Sequence, residues 1–341
     1  MKLDINIRVL FSGLFLIFFM SVFYAPNANA KPLGTSTKAE QNACGGNGTG
    51  TITQPGTTDC ELESDIFKIT FTRLDLCRTD PTPPTVSTPI DRSTCATFFK
   101  KDSGAETTVI KGVAGSIGEA ADYSAVPHGT YNFGMVTMLS KFKYTSSVLF
   151  NGAMGDTDGG GNTTTCVTKA PAGGASTVIY GFHNGLDADD SNVDCSENAV
   201  AEEIIIGINT LTMENGTGDC NHLLNFTGTS GTVNGYGVQA DGTLVDAVGV
   251  GANDPDQIRN GVAGCASGTD NGIKAVIGVM PLGESIVIGP STRGLQMEYN
   301  TSQSMRLDMT GTANDIYKFD VAFFDFTLKA KKARGSRGAW N

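Results

Sequence analysis

The feature that most constrains the fold is an alternation of apolar and polar residues at 65–77. Every second residue from Phe67 to Phe71 is apolar, with polar residues between them. A period of two is typical of a β-strand with one buried face. At 72–73 the alternation slips by one residue, and Leu74 carries the apolar face onward. Because such a slip moves side chains to the opposite face, we expect a bulge or bend there.

A similar pattern returns at 315–326, near the end of the chain. The two stretches are neighbours in one sheet, the ends of a duplication, or unrelated amphipathic strands drawn from a small alphabet of residues. Glycine accounts for 43 of the 341 residues, a composition that suits short strands joined by tight turns. The sequence therefore predicts an all-β fold of one or more antiparallel β-sandwiches with long loops rich in Gly, Thr and Asp.

The first thirty residues have the pattern of a secretory signal peptide. Lys2 and Arg8 form a basic start, an apolar run covers 9–24, and Ala28 and Ala30 form a small-residue cleavage site. The alternative is an uncleaved N-terminal anchor. No later stretch is long and apolar enough to predict a membrane span. We therefore expect a secreted, periplasmic or cell-surface protein.

All eight cysteines follow the predicted leader. An even number of cysteines in an exported chain favours disulfide bonds, and the absence of a C-x-x-C pair disfavours zinc ribbons and thioredoxin-type chemistry. The two shortest spacings predict the local bridges Cys44–Cys60 and Cys77–Cys95. The expected disulfide cysteines are Cys44, Cys60, Cys77, Cys95, Cys166, Cys195, Cys220 and Cys265.

The charge distribution limits the partners of the chain. The formal net charge is −11, and five of the basic residues lie in the tail at 329–341. An acidic body repels phosphate backbones, so we do not expect a nucleic-acid partner. Self-association or a surface polymer is the expected interaction.

The chain divides by composition into five parts: a signal peptide at 1–30, a polar Gly/Thr-rich arm at 31–62, a β-sandwich domain at 63–150, a second β-rich region at 151–328, and a basic tail at 329–341. Residues 95–100 and 107–112 are predicted as two short strands. Residues 273–280 and 284–289 are predicted as a hairpin around Pro281. The last strand could pair with the first.

One local motif carries a resemblance to a known family. The sequence Val-Pro-His-Gly-Thr-Tyr-Asn at 126–132 predicts a turn that enters an alternating strand. It resembles the turn of prealbumin-like and immunoglobulin-like β-sandwich domains of bacterial surface proteins, over residues 60–150. The resemblance implies a scaffold or adhesion-type module and transfers no catalytic residue.

Two acidic loops are candidate calcium sites. Alternating Asp, Asn and Ser side chains supply the hard oxygens that calcium prefers, although the spacing does not fit an EF-hand. The alternative is a pair of solvated acidic loops. The candidate ligands are Asp156, Asp158, Asp187, Asp189, Asp190 and Asp194.

No pattern of nucleophile, base and orienting group predicts an enzyme. His128, His183 and His222 are the only histidines, and they match none of the metalloprotease or hydrolase motifs. We therefore expect a non-enzymatic structural or adhesion-type protein without a cofactor. The alternatives are a calcium-dependent module that binds glycans and a secreted hydrolase.

Overall fold

The structure is a computed structural model in which the described residues are 2–5, 44, 51–56, 58–85, 87–110, 115–156, 162–171, 178–180, 192–208, 223–228, 231–245, 273–301, 304–309, 312–321 and 325–332. Within these ranges the chain is almost entirely β-sheet, which confirms the predicted all-β class. Apart from one 3₁₀ turn at Ala120–Asp122, the elements are strands. None of the described segments is a helix long and apolar enough to span a lipid bilayer.

The strands are β1 (Lys2–Ile5), β2 (Cys60–Leu62), β3 (Ile66–Cys77), β4 (Cys95–Ile110), β5 (Gly129–Leu139), β6 (Lys141–Thr145), β7 (Ser147–Asp156), β8 (Thr163–Thr168), β9 (Val178–Tyr180), β10 (Val193–Asp194), β11 (Ile204–Gly207), β12 (Leu223–Gly228), β13 (Gly231–Val238), β14 (Ala275–Ile288), β15 (Thr292–Asn300), β16 (Met305–Met309), β17 (Asp315–Val321) and β18 (Asp325–Lys332).

These strands form three sheets. The largest has the order β12-β13-β14-β5-β3-β6-β11-β9, with β4 paired to β3. A second sheet has the order β10-β8-β7-β17-β16-β2, and a third consists of β1-β15-β18. Most pairs are antiparallel, and β11–β9 and β17–β7 are parallel. The largest sheet draws strands from both sides of residue 150.

Strand β3 is the centre of the largest sheet. It pairs along its length with β4, and its other edge pairs with β5 and then with β6. The register against β4 and β5 shifts between Phe71 and Arg73, which confirms the bulge expected from the slipped alternation. Phe67, Phe71 and Leu74 are fully buried in the main core. Burial of each such side chain contributes about 2 kcal/mol to stability.

Two strand predictions are wrong in the same way. Strand β4 is one element rather than two, and the residues between Lys100 and Ala105 bulge out opposite β3. Gly104 takes a positive φ of 80° in this bulge. The predicted hairpin around Pro281 is also a single strand, β14, whose two halves both pair with β5 across a register shift. Turn-forming residues therefore mark bulges in long strands at both places.

The first and last amphipathic stretches are not neighbours. The described residues of this second stretch belong to β17 and to the start of β18, which lie in different sheets, and neither of these strands pairs with β3. The similarity of the two stretches therefore does not arise from pairing with each other. A duplication stays a prediction.

Three disulfide bonds lie within the described residues. Cys44–Cys60 and Cys77–Cys95 are both present, which confirms the two local predictions. Cys77 and Cys95 face each other directly across β3 and β4. The third bridge, Cys166–Cys195, joins β8 to the residue after β10. Cys220 and Cys265 lie outside the described residues.

We predict that the Cys77→Ala/Cys95→Ala variant loses about 3 kcal/mol of unfolding free energy, because the bridge closes a loop with a sequence separation of 18 residues. Equilibrium denaturation in urea measures this loss. Thr88→Ala is the matched control, since Thr88 is exposed within the same loop, and it should change stability by less than about 0.5 kcal/mol. Equal stability of the double variant and the wild type would contradict the prediction.

Candidate functional site

The predicted calcium ligands fall only partly within the described residues. The buried Asp156 accepts a hydrogen bond from the backbone N–H of Cys195 through Oδ2 at 2.8 Å. Asp194 accepts one from Ser196 through Oδ1 at 2.8 Å. Both carboxylates thus fix the backbone around Cys195. Asp158, Asp187, Asp189 and Asp190 lie outside the described residues, so the calcium site stays a prediction.

The described part of the chain contains two groups of buried charged residues. The first surrounds Asp75, whose side chain is completely buried in β3. Arg73 Nε lies 2.9 Å from Oδ1, Thr97 donates its hydroxyl proton to Oδ1 at 2.6 Å, and Arg92 Nε lies 3.4 Å from Oδ2. Arg92 also donates to the Thr137 hydroxyl at 3.1 Å. This group has several well-placed hydrogen bonds and ties β3, β4 and β5 together.

The second group, which we name the charge cluster, lies on one face of β2, β16 and β17. Arg306 in β16 is directly opposite Glu61 on one side and Asp320 on the other. Asp308 lies two residues after Arg306 in β16, and it is directly opposite Lys318 in β17. Residues two apart in a strand share a face, so these side chains form two adjacent rows. The cluster consists of Asp59, Glu61, Arg306, Asp308, Lys318 and Asp320.

Arginine 306 connects the two rows of the charge cluster. Its guanidinium donates a hydrogen bond to Asp59 from Nη2, and its Nε lies 2.8 Å from Asp308 Oδ1. Asp59 also accepts the backbone N–H of Met309 at 2.8 Å. Because Asp59 precedes β2 and Met309 ends β16, these contacts hold the edge strand β2 against β16.

Lysine 318 is the least satisfied member of the charge cluster. Its side chain has zero exposure, and Nζ lies 3.6 Å from Asp320 Oδ2 and 3.9 Å from Asp308 Oδ2. These distances are ion-pair contacts, and Nζ makes no hydrogen bond with any described residue. Nζ also lies 5.7 Å from the centre of the Tyr317 ring. A buried ammonium without hydrogen bonds is costly to the stability of the fold.

Burial changes the acidity of two carboxyl groups in the charge cluster. Desolvation raises the pKa of Glu61 to about 7, against the opposing effect of Arg306. Desolvation likewise raises the pKa of Asp308 to about 6, with Arg306 opposing it and Asp320 adding to it. Burial and, to a smaller extent, the Asp320 carboxylate raise the pKa of Tyr144 in β6. Glu61 and Asp308 can therefore hold protons closer to neutral pH than ordinary carboxyl groups do.

The chemistry available to the charge cluster is confined to the chain itself. Lys318 and Asp320 have relative exposures of 0% and 1%, so an external substrate has no contact with either group. The Lys318 amine and the Arg306 guanidinium nevertheless both lie within ion-pair distance of Asp308, whose carboxyl group has a raised pKa. Such a set can carry out proton transfer or a reaction between two of its own side chains.

The sequence analysis did not single out any residue of the charge cluster. One signal was available in the sequence. The tripeptide Arg-Leu-Asp occurs at 73–75 and again at 306–308, and its first and last residues share a face in a strand. In both places the arginine and the aspartate form an ion pair.

Comparison of the chain with protein-family models, with curated proteins and with solved structures finds no match. The resemblance to prealbumin-like and immunoglobulin-like domains therefore stays an expectation.

We predict that Asp75→Asn destabilises the protein by about 3 kcal/mol, because it leaves Arg73 and Arg92 close together without the buried carboxylate that neutralises them. Urea denaturation at pH 7 measures the change. Asp102→Asn is the control, since the Asp102 side chain is 85% exposed. This control variant should be as stable as the wild type. An equally stable Asp75→Asn protein would show that this buried charge is dispensable.

A second prediction concerns the pH dependence of stability. Glu61 has a pKa of about 7 in the folded protein and 4.5 in the reference state, so the folded protein retains its proton where the unfolded chain has lost it. The contribution of Glu61 to stability should therefore fall by about 3 kcal/mol as pH rises from about 4.5 to about 7, and level off above that range.

The Glu61→Gln variant tests this assignment. It keeps the size of the side chain and removes the titration, so its stability should equal that of the wild type near pH 4 and exceed it at pH 8. Urea denaturation at several pH values gives both curves. Asp102→Asn serves again as the exposed control, and parallel curves for Glu61→Gln and the wild type would contradict the assignment.

Proposed function

We propose that the protein is a secreted or cell-surface structural protein, of the scaffold or adhesion type, that associates with further copies of itself. Export is supported by the predicted leader at 1–30 and by three disulfides, which form in oxidising compartments. A structural role is supported by a fold in which the described charged groups tie strands together.

The observation that carries self-association is the pairing of β1 with β15. Residues Lys2 to Ile5 pair antiparallel with Glu298 to Leu295 at the outer edge of the third sheet. The other edge of β15 is already paired with β18. Because β1 lies inside the predicted leader, removal of the leader leaves one edge of β15 without its strand.

An exposed strand edge has hydrogen-bonding groups that can pair with another chain. The edge of β15 is well fixed, because Leu295, Met297 and Tyr299 are buried in the core. The segment that pairs with it in the full chain has the simple alternation Lys-Leu-Asp-Ile. In the proposed assembly, an extended segment of a neighbouring copy takes the position of β1.

We predict that the chain beginning at Lys31 has a molar mass above that of a monomer, and that this mass rises with protein concentration. Size-exclusion chromatography with light scattering measures it. A synthetic peptide of residues 1–7 should lower the assembled fraction, because it supplies the strand that the β15 edge pairs with in the full chain.

The matched control is the same peptide with Leu3→Pro, which cannot complete the strand because proline lacks a backbone N–H. This peptide should leave the assembled fraction unchanged. A monomer at every concentration would reject self-association. Assembly that both peptides leave intact would place the contact elsewhere than β15.

A further inference from the structure

We infer that Arg73 and Arg92 together bind the carboxylate group of an external ligand. The two guanidinium groups share one counterion, because Arg73 Nε lies 3.0 Å from Oδ2 of Asp75 and Arg92 Nε lies 3.4 Å from the same oxygen. Asp75 therefore neutralises only one of the two positive charges. The inference does not depend on the proposed self-association, since that contact lies in a different sheet.

The arginine pair lies on the face of β3 that points away from the main core. Leu74 and Leu76 pack in the main core, so Asp75 between them projects from the other face of the strand. Its carboxylate is completely buried, whereas the side chains of Arg73 and Arg92 are 29% and 21% exposed. The two arginines thus cover the buried aspartate and can themselves be reached from solvent.

Each guanidinium group retains donors for a second acceptor. Arg73 donates to Asp75 from Nε and to Thr97 from Nη2. Arg92 donates to Asp75 from Nε and to Thr137 from Nη2. A guanidinium has more N–H groups than these bonds use, and Nη1 of either arginine makes no hydrogen bond within the described part of the chain.

Repulsion between the two arginines favours a second anion. Burial lowers the pKa of Arg92 and the neighbouring Arg73 adds to this lowering, whereas Asp75 opposes it. Asp91 precedes Arg92 in the chain, but its carboxylate accepts hydrogen bonds from the backbone N–H and the hydroxyl group of Ser93. A bound carboxylate would neutralise the excess charge in a partly desolvated site, where charge-assisted hydrogen bonds are strong.

The charge of the whole chain selects the kind of ligand. The formal net charge is −11, so a ligand with many negative charges is repelled, whereas a single carboxylate is attracted to the local positive excess. A planar carboxylate also matches the planar guanidinium group better than a spherical ion does. The expected ligand is therefore a monocarboxylate, either free or carried by an acidic sugar.

Titration of the ¹⁵N-labelled full chain with sodium acetate, followed by NMR at constant ionic strength, tests the site directly. The guanidinium signals of Arg73 and Arg92 should shift and reach saturation. The signal of Arg78, which is exposed and lies over the Tyr131 ring, should not shift. Absence of a saturable shift with acetate, or an equal shift with sodium chloride, would overturn the inference.

Sodium glucuronate and glucose distinguish the two sources of the carboxylate. Tighter binding of glucuronate than of acetate would support a carboxylate carried by a sugar. Equal or weaker binding of glucuronate would support the free carboxylate. Glucose has no carboxylate and should leave the arginine signals unchanged, so a shift with glucose as large as that with glucuronate would count against recognition of the charged group.

The Arg92→Gln variant adds a matched test. Loss of one guanidinium group removes charge-assisted hydrogen bonds to the ligand, so the dissociation constant for acetate should rise at least about tenfold. Arg78→Gln is the control, because it removes an exposed positive charge from the start of the same loop and should change the constant by less than about twofold. An unchanged constant in Arg92→Gln would contradict the inference. The wild-type titration decides the question even if this variant does not fold.

Discussion

Charges buried within a sheet are the constraint on which the rest of the structure depends. In β17, Lys318 and Asp320 lie on one face and Phe319 on the other, and all three are buried. A one-residue slip of β17 against β16 would place Lys318 opposite the apolar Leu307 and leave its charge uncompensated. An unpaired buried charge costs several kcal/mol, so the charge cluster fixes the register more strictly than apolar packing alone would.

The two Arg-Leu-Asp strands differ in how the desolvation cost of the buried aspartate is offset. In β3, two arginines and a threonine hydroxyl surround Asp75, which leaves its carboxylate well hydrogen-bonded. In β16, Asp308 shares its neighbours with other carboxyl groups, and its pKa is raised to about 6 as a result of burial. The first arrangement is stable because its polar atoms are satisfied. In the second arrangement, the protonation of one carboxyl group affects the protonation and reactivity of its neighbours.

Much of the local structure could be predicted from residue patterns, because those patterns report local physics. The alternation around Phe71 gave β3 and its bulge, and short spacing gave two of the disulfides. The sequence could not show that Pro281 marks a bulge rather than a turn, since both need the same residues. Nor could it show that Lys318 is buried. An alternation of apolar and polar residues assigns them to the two faces of a strand, but it does not show whether the polar face is also covered.

The disulfide at Cys60 and the charge cluster are parts of one arrangement. Cys60 lies between Asp59 and Glu61, and its partner Cys44 donates a backbone hydrogen bond to the Glu61 carbonyl at 2.8 Å. Strand β2 is only three residues long and lies at the end of its sheet, so the Cys44–Cys60 bridge adds to the strand pairing and the Asp59 hydrogen bonds that hold it against β16. Formation of this bridge therefore helps to fix both carboxylates beside Arg306. The Cys44–Cys60 bridge and the carboxylates that neutralise the buried Arg306 therefore belong to the same short segment of the chain.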